Sequence, residues 1–101
     1  MRANKIYLEH ANITVSDLQE SVKFFQTAFP HFEIRGGGSL MREWIHLGDE
    51  DTYIAINQAK NAELKVEKNY DGIGINHLGF VVGNVEEISR NLLDSGYKRS
   101  Y

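Results

Sequence analysis

Two histidines that stand 67 positions apart have matching surroundings in this 101-residue chain. His10 and His77 each precede a short stretch in which every second residue is apolar. An imidazole can ligate a divalent metal or transfer a proton, whereas a lone histidine on a strand more often makes an ordinary hydrogen bond. The repeated placement favours a shared functional role and leaves the structural alternative open.

The offset that aligns the two histidines also aligns two predicted helix starts. Asp17 and Asn84 are residue types preferred at the N-cap, and Glu20 and Glu87 stand three positions later, as a capping box requires. Apolar residues then recur at helical spacing, namely Leu18, Val22, Phe25 and Phe29 in the first copy and Val85, Ile88 and Leu92 in the second. Pro30 ends the first helix and Gly96 ends the second at a predicted left-handed C-cap.

The segment between the two copies predicts further strands. Alternating or β-branched residues favour strands at 32–35, 41–47 and 53–57, with turns at the glycines 36–38 and at 48–51. A polar linker follows. The two copies themselves predict strands at 6–15, at 77–82 and from 97 onward, so the order reads β-α-β-β-β, linker, β-α-β. A ferredoxin-like β-α-β-β-α-β module is a second fold compatible with the same periodicity.

Composition excludes several classes of site. The chain has no cysteine, which excludes disulfides, thiolate metal sites and cysteine nucleophiles. Its net charge is −3 and it has no basic patch, so neither nucleic acid nor a membrane surface is a predicted partner. The apolar runs are too short to cross a bilayer. These features predict a cytoplasmic protein.

Two stretches resemble a known family. LEHANITVSDLQESVKFF at 8–25 and GINHLGFVVGNVEEISRNLLDSG at 74–96 are similar to the openings of the two βαβββ units of the vicinal oxygen chelate superfamily, which includes glyoxalases, bleomycin-resistance proteins and extradiol dioxygenases. The resemblance implies an α+β fold in which paired βαβββ units form an open curved sheet. It implies a single domain over 1–101, with unit one at about 4–58, a linker at about 59–73 and an apparently truncated second unit at about 74–101.

The resemblance also implies a metal site. Family members bind metal through the first and last strands of each unit, and His10 and His77 match the two first-strand positions. Ala55 stands where glyoxalase-like members carry glutamate, and the fourth position would follow Tyr101. This pattern fits a 2-His-1-carboxylate site better than a four-ligand site. The implied cofactor is a divalent metal (Fe, Mn, Zn or Ni), or none if the protein only binds its ligand.

Five further residues are candidates for substrate binding. Arg42, Trp44 and His46 share one face of the predicted strand 41–47, where tryptophan can stack on an aromatic ligand and arginine can pair with a carboxylate. The alternative is a sheet face that contacts another subunit. Tyr53 and Asn57 flank Ala55 on the predicted inner face of the curved sheet. There they either contact the ligand or only line the cavity.

Three hypotheses for function follow from the resemblance. The first is a metal-dependent lyase, isomerase or dioxygenase that acts on a small molecule with vicinal oxygens. The second is a metal-free protein of the same fold that sequesters a drug or planar metabolite. The third is a non-catalytic member that another chain completes, because unpaired sheet edges favour a homodimer.

Overall fold

The protein has an α+β fold with a four-stranded mixed open sheet and two helices. We describe it from a computed structural model that covers residues 6–61, 73–75 and 77–99. The elements, in chain order, are β1 (His10–Val15), α1 (Leu18–Ala28), β2 (Glu33–Gly38), β3 (Trp44–Gly48), β4 (Tyr53–Gln58) and α2 (Val85–Asp94). The strand order is β1-β4-β3-β2, with β1 parallel to β4 and the other two pairs antiparallel.

The connections from β1 to β4 follow a β-α-β-β-β path. After α1 the chain forms an antiparallel meander, and β4 returns to lie beside β1. A ferredoxin-like module would place two strands between its helices, whereas the described residues place three between α1 and α2. The ferredoxin-like alternative is therefore wrong.

The core lies between α1 and one face of the sheet. Its buried members are Leu18, Val22, Phe32, Leu47, Ile54 and Ile56. Phe25 and Phe29 are partly buried against the same cluster, so the predicted apolar stripe of α1 is confirmed. Complete burial of a leucine or isoleucine side chain contributes about 2 kcal/mol, and these residues therefore fix which face of the sheet the helix covers.

Both predicted N-caps are present. The Asp17 side chain accepts a hydrogen bond from the Glu20 backbone N–H at 3.1 Å, and the Asn84 side chain accepts one from the Glu87 N–H at 3.0 Å. Each cap satisfies one of the N–H groups that have no partner within the helix.

The end of α2 is also as predicted. Gly96 has a φ of 95°, and the N–H groups of Gly96 and Tyr97 donate to the carbonyl oxygens of Leu93 and Leu92, each at 3.0 Å. This pair of bonds is a Schellman motif, in which glycine takes the left-handed conformation that other residues disfavour.

Helix α1 has a second anchor at its start. The Leu18 N–H donates to Gln58 Oε1 at 2.8 Å, and Gln58 Nε2 donates to the Ser16 carbonyl oxygen at 2.7 Å. Gln58 is the last residue of β4. Its side chain therefore joins the first turn of the helix to the end of the neighbouring parallel strand.

The predicted glycine turn at 36–38 is wrong. These glycines lie in β2, where Gly36 pairs with His46 and Gly38 pairs with Trp44. A Cβ atom at Gly38 would lie 3.0 Å from Trp44 Nε1. Glycine is therefore used here for the close approach of an indole ring to the strand and not for a turn.

Four predicted strand ranges also need correction. Strand β1 begins at His10 and not at 6, because the β4 ladder pairs only with His10–Val15. Strand β3 begins at Trp44 and not at 41, because the ladder with β4 starts where Trp44 pairs with Asn57. Residues 77–82 and 97–99 form no strand with the described part of the chain. Most of the predicted linker, at 62–72, lies outside the described residues.

The described helices are short. Neither α1 nor α2 has the length and the apolar composition that a membrane span requires.

Candidate functional site

The sheet face opposite α1 carries rings and polar side chains. Side chains alternate along each strand, and Ile13, Ile45 and Ile56 pack toward the helix, so their neighbours point the other way. We call this second surface the open face. Its residues on the three adjacent strands are His10, Asn12 and Thr14 of β1, Tyr53, Ala55 and Asn57 of β4, and Trp44 and His46 of β3.

Four rings on the open face form a continuous series across three strands. His10 stacks on Tyr53 with centroids 4.6 Å apart and an interplanar angle of 8°. The Tyr53 and His46 centroids are 4.8 Å apart, and those of His46 and Trp44 are also 4.8 Å apart. We call these four residues the aromatic row. The interplanar angles of these last two pairs are 31° and 53°, and none of the four residues is buried, so each ring stays partly accessible.

The glycines of β2 determine where the Trp44 ring lies. An added Cβ at Gly38 would meet three atoms of the indole within 3.2 Å, and one at Gly36 would meet the ring at 4.0 Å. The indole therefore lies across this strand, on a surface that only glycine leaves free. The glycine run positions one end of the aromatic row.

Arg35 joins the open face through a β-bulge. The pairing of β2 with β3 shifts between Ile34 and Gly36, which leaves Arg35 as the extra residue. Its Cζ atom lies 4.3 Å from the centroid of the Tyr53 ring, in a cation–π arrangement. Sequence analysis did not select Arg35, because alternation along a strand gives no signal for a register shift.

A pair of amides lies beside the row. Asn57 Nδ2 donates to Asn12 Oδ1 at 2.6 Å and to the Ile13 carbonyl oxygen at 3.1 Å. These bonds hold the Asn57 side chain in one orientation across β1 and β4. The prediction that Asn57 and Tyr53 flank Ala55 on one face agrees with the register of the sheet.

Arg42 does not share this placement. It lies in a bend ahead of β3 and is exposed, so the predicted common strand face with Trp44 and His46 is wrong for this residue. The strand starts later than alternation suggested, because Glu43 already accepts the terminal ladder bond from the Gln58 N–H at 2.8 Å. Of the five predicted substrate-binding residues, the fold brings together Trp44, His46, Tyr53 and Asn57.

One imidazole nitrogen of His10 contacts the carboxylate of the preceding residue, Glu9. Its Nδ1 atom lies 3.0 Å from Glu9 Oε1, and the imidazole side chain is 42% exposed. A carboxylate on one imidazole nitrogen is the usual way to orient the other nitrogen toward a metal. Ala55, on the neighbouring strand, has no donor atom, and among the described residues no group of three His, Asp or Glu could hold a metal. The described donors therefore do not complete a metal centre.

The segment that follows His77 lies near the start of β1. A cavity of about 370 Å³ is lined by Tyr7, His10 and Tyr53 on one side and by residues 78–81 on the other. Phe80 of this segment packs on Phe29 of α1, with ring centroids 4.9 Å apart. His77 itself is exposed.

The acidic turn between β3 and β4 has a structural role. Asp49 Oδ1 accepts hydrogen bonds from the N–H groups of Asp51 and Thr52 at 2.9 and 3.0 Å. The Thr52 N–H is the main reason that the pKa of Asp49 lies below its ordinary value, and His31, with Nε2 3.5 Å from Asp49 Oδ2, acts in the same direction. This carboxylate closes the turn that leads into Tyr53.

Comparison with known proteins identifies a fold and no family. No family model matches the sequence, and no curated protein matches it. The crystal structure of SMU.1112c is similar to this chain, with a TM-score of 0.70 and 22% sequence identity over 90% of this chain and 75% of that one. At this identity the likeness concerns the fold alone, so the chain shares with SMU.1112c the architecture that builds the open face.

Proposed function

We propose that this chain is a small-molecule-binding protein of the vicinal oxygen chelate type, which holds a planar ligand on its open face. The observation that supports the proposal is the aromatic row. Four rings, each in contact with the next, stay partly accessible on the face that α1 does not cover. Each further ring contact is worth about 1 kcal/mol, so a planar ligand gains affinity from several rings at once.

The family assignment within this proposal has three supports. Residues 10–58 follow the β-α-β-β-β path of one unit of that family. The segment after His77 borders the same cavity as the start of β1, as expected if a second unit meets the first at this edge. Helix α2 begins with the same cap arrangement as α1.

Ala55 favours ligand binding without a metal. It lies on β4 between Asn12 and His46, and its methyl group supplies no ligand atom.

Trp44 provides the test, because it is the only tryptophan in the sequence and has a single indole N–H resonance. We expect planar aromatic compounds, added to protein that has been treated with a chelator, to shift this resonance saturably. Replacement Tyr53→Leu removes the central ring and should weaken binding about fivefold or more, since one stacking contact is worth about 1 kcal/mol.

The matched control is Phe24→Leu. Phe24 packs edge-on against Tyr97 on the helical side, with centroids 5.1 Å apart, so its loss should leave ligand affinity unchanged. An unresponsive Trp44 across the whole panel contradicts the proposal, as does an equal loss of affinity in the two variants.

A metal-dependent lyase, isomerase or dioxygenase is the second candidate. The contact between Glu9 and His10 favours it, because this contact orients the imidazole as in known metal sites. A bound divalent metal would supply Lewis-acid polarisation of vicinal oxygens. Calorimetric titration with Mn²⁺ or Zn²⁺ tests this candidate. Loss of binding in His10→Ala, with binding retained in the control His31→Ala, would support it, and no heat of binding in the unmodified protein would exclude it for those ions.

A further inference from the structure

We infer that the ligand of the open face is a planar aromatic carboxylate and that Arg35 recognises its negative charge. The inference depends on the proposed binding function and specifies the class of ligand. The structure contributes three observations, namely the placement of Arg35, the absence of a competing partner for it, and the charges of the side chains around it.

The first observation is where the guanidinium lies. Arg35 starts from β2 and reaches across β3 to Tyr53 on β4, so that its Cζ stands 4.3 Å from the centre of the Tyr53 ring. Tyr53 in turn contacts both His10 and His46. The guanidinium is therefore placed at the middle of the aromatic row, beside the surface that a planar ligand would cover.

The second observation is that its donors are available. The cation–π contact with Tyr53 is a contact of the Cζ atom with a ring and engages no N–H donor of the guanidinium in a hydrogen bond. Within residues 6–61, 73–75 and 77–99, Arg35 forms no hydrogen bond or ion pair, whereas the ion pairs of that part of the chain are His10–Glu9 and His31–Asp49. A carboxylate matches the fork of donors that remains.

The third observation is the charge around this group. Along β1, β3 and β4 no open-face residue is acidic. Glu33 precedes Arg35 by two residues on β2 and does not come within ion-pair distance of it. Glu9 is engaged with His10. Among the described residues, therefore, no carboxylate forms an ion pair with Arg35 in competition with an anionic ligand.

Arg42 is the natural comparison. It has the same side chain and was predicted from sequence to pair with a carboxylate, but it lies outside the ladder of β3. Arg35 is bound to the row by its contact with Tyr53. If the ligand carboxylate pairs specifically with Arg35, only the loss of Arg35 should weaken its binding. If positive charge alone attracts the ligand, the loss of either arginine should weaken binding equally.

The experiment compares two probes that differ in charge and have almost the same shape, 2-naphthoate and 2-naphthamide. Their affinities are measured through the indole N–H resonance of Trp44 in chelator-treated protein. We expect the carboxylate to bind about tenfold more tightly, as an accessible charge-assisted pair permits. In Arg35→Gln the two affinities should agree within about twofold, through weaker binding of the carboxylate.

The matched control is Arg42→Gln, which removes one positive charge nearby, and a second control is Glu33→Gln, which removes one negative charge. Both variants should keep the preference for the carboxylate. Unchanged affinity of Arg35→Gln for 2-naphthamide will show that the ring surface is intact. An equal preference in Arg35→Gln and the unmodified protein overturns the inference, as does a preference that disappears in Arg42→Gln instead.

The outcomes also separate this inference from the function on which it depends. If both probes bind the unmodified protein equally, the binding function stands and the recognition of charge is wrong. If neither probe shifts the Trp44 resonance, the binding function and the inference fail together.

Discussion

Helices α1 and α2 begin in the same way but are held differently. In each, a short polar side chain caps the N–H three residues on, at 3.1 Å from Asp17 and 3.0 Å from Asn84. The residue after each cap is Leu18 in α1, which is 2% exposed, and Val85 in α2, which is 70% exposed. No residue of α2 is buried, whereas α1 buries three.

The difference shows which part of a helix depends on its neighbours. A cap requires only the few residues around it, so two similar sequences produce two similar caps. Burial requires a partner surface, and the sheet supplies one for α1 through Leu47, Ile54 and Ile56. Helix α2 packs mainly on α1. The residues of α2 contribute less to the stability of the described fold than their equivalents in α1.

The largest expected difference is at the first helical position. Leu18→Ala should lower the free energy of unfolding by about 3 kcal/mol, because it leaves a cavity between α1 and the sheet. Val85→Ala removes an exposed side chain and should cost less than about 0.5 kcal/mol. Urea unfolding of both variants measures the difference. Equal losses would mean that another surface covers Val85 in solution.

A second comparison uses two glycines. A Cβ at Gly48 would overlap the Thr52 carbonyl oxygen and lie 2.5 Å from Tyr53 Cα, whereas one at Gly83 would meet nothing within 4 Å. Gly48→Ala should therefore cost about 2 kcal/mol, because the backbone of the β3–β4 connection must move. Gly83→Ala is the matched control and should leave the thermal midpoint nearly unchanged. A tolerated Gly48→Ala would show that the turn before Tyr53 is not tightly determined.

The caps test how strongly each helix is coupled to global unfolding. Asp17→Ala should cost about 1 kcal/mol, because it leaves an N–H group of α1 without its cap. Asn84→Ala removes an equivalent bond and should cost under about 0.5 kcal/mol in a global denaturation, since α2 can fray before the core opens. Denaturant curves followed by circular dichroism check both values, and an equal loss for the two would show that α2 unfolds together with the sheet.

The smallest expected effect is the pH dependence of stability that Asp49 causes in the turn between β3 and β4. The pKa of Asp49 is lowered in the folded state, mainly by the Thr52 N–H, so its charge stabilises the fold above about pH 4 and loses this effect as the pH falls further. Asp49→Asn should be less stable than the unmodified protein at pH 6 by under about 0.5 kcal/mol, because solvent screens the partly exposed carboxylate. The difference should shrink as the pH falls below about 4, because the carboxylate is then increasingly protonated. Glu50→Gln in the same turn is the control and should show no such pH dependence.

The sequence was sufficient for features that depend on nearby residues. Both caps, the left-handed Gly96 and the inner stripe of α1 were predicted from spacing alone. The β-α-β-β-β order was also predicted, because the turn signal at 48–51 separates two stretches that favour strands, although the start of β3 was misplaced. The pairing of two such units is a proposal, as is the role of His10 and His77 as metal ligands.

Features that depend on pairing between strands were predicted less well. The glycines at 36–38 looked like a turn, because nothing local shows that the Trp44 ring needs their bare surface. The start of β3 was predicted too early. Arg42 was therefore assigned to the strand, although the ladder of β3 with β4 begins at Trp44. Arg35 was missed for the related reason that a bulge is a mismatch between two strands and leaves no periodic mark on either one.

The hydrogen bonds of Gln58 determine how α1 can unfold locally. Its amide holds the first N–H of α1 at 2.8 Å and the Ser16 carbonyl oxygen at 2.7 Å, from the last position of β4. The start of this helix cannot fray alone without breaking a bond to the sheet. Hydrogen exchange at the Leu18 amide should therefore be as slow as exchange in the central strands, so that helix and sheet behave as one cooperative unit.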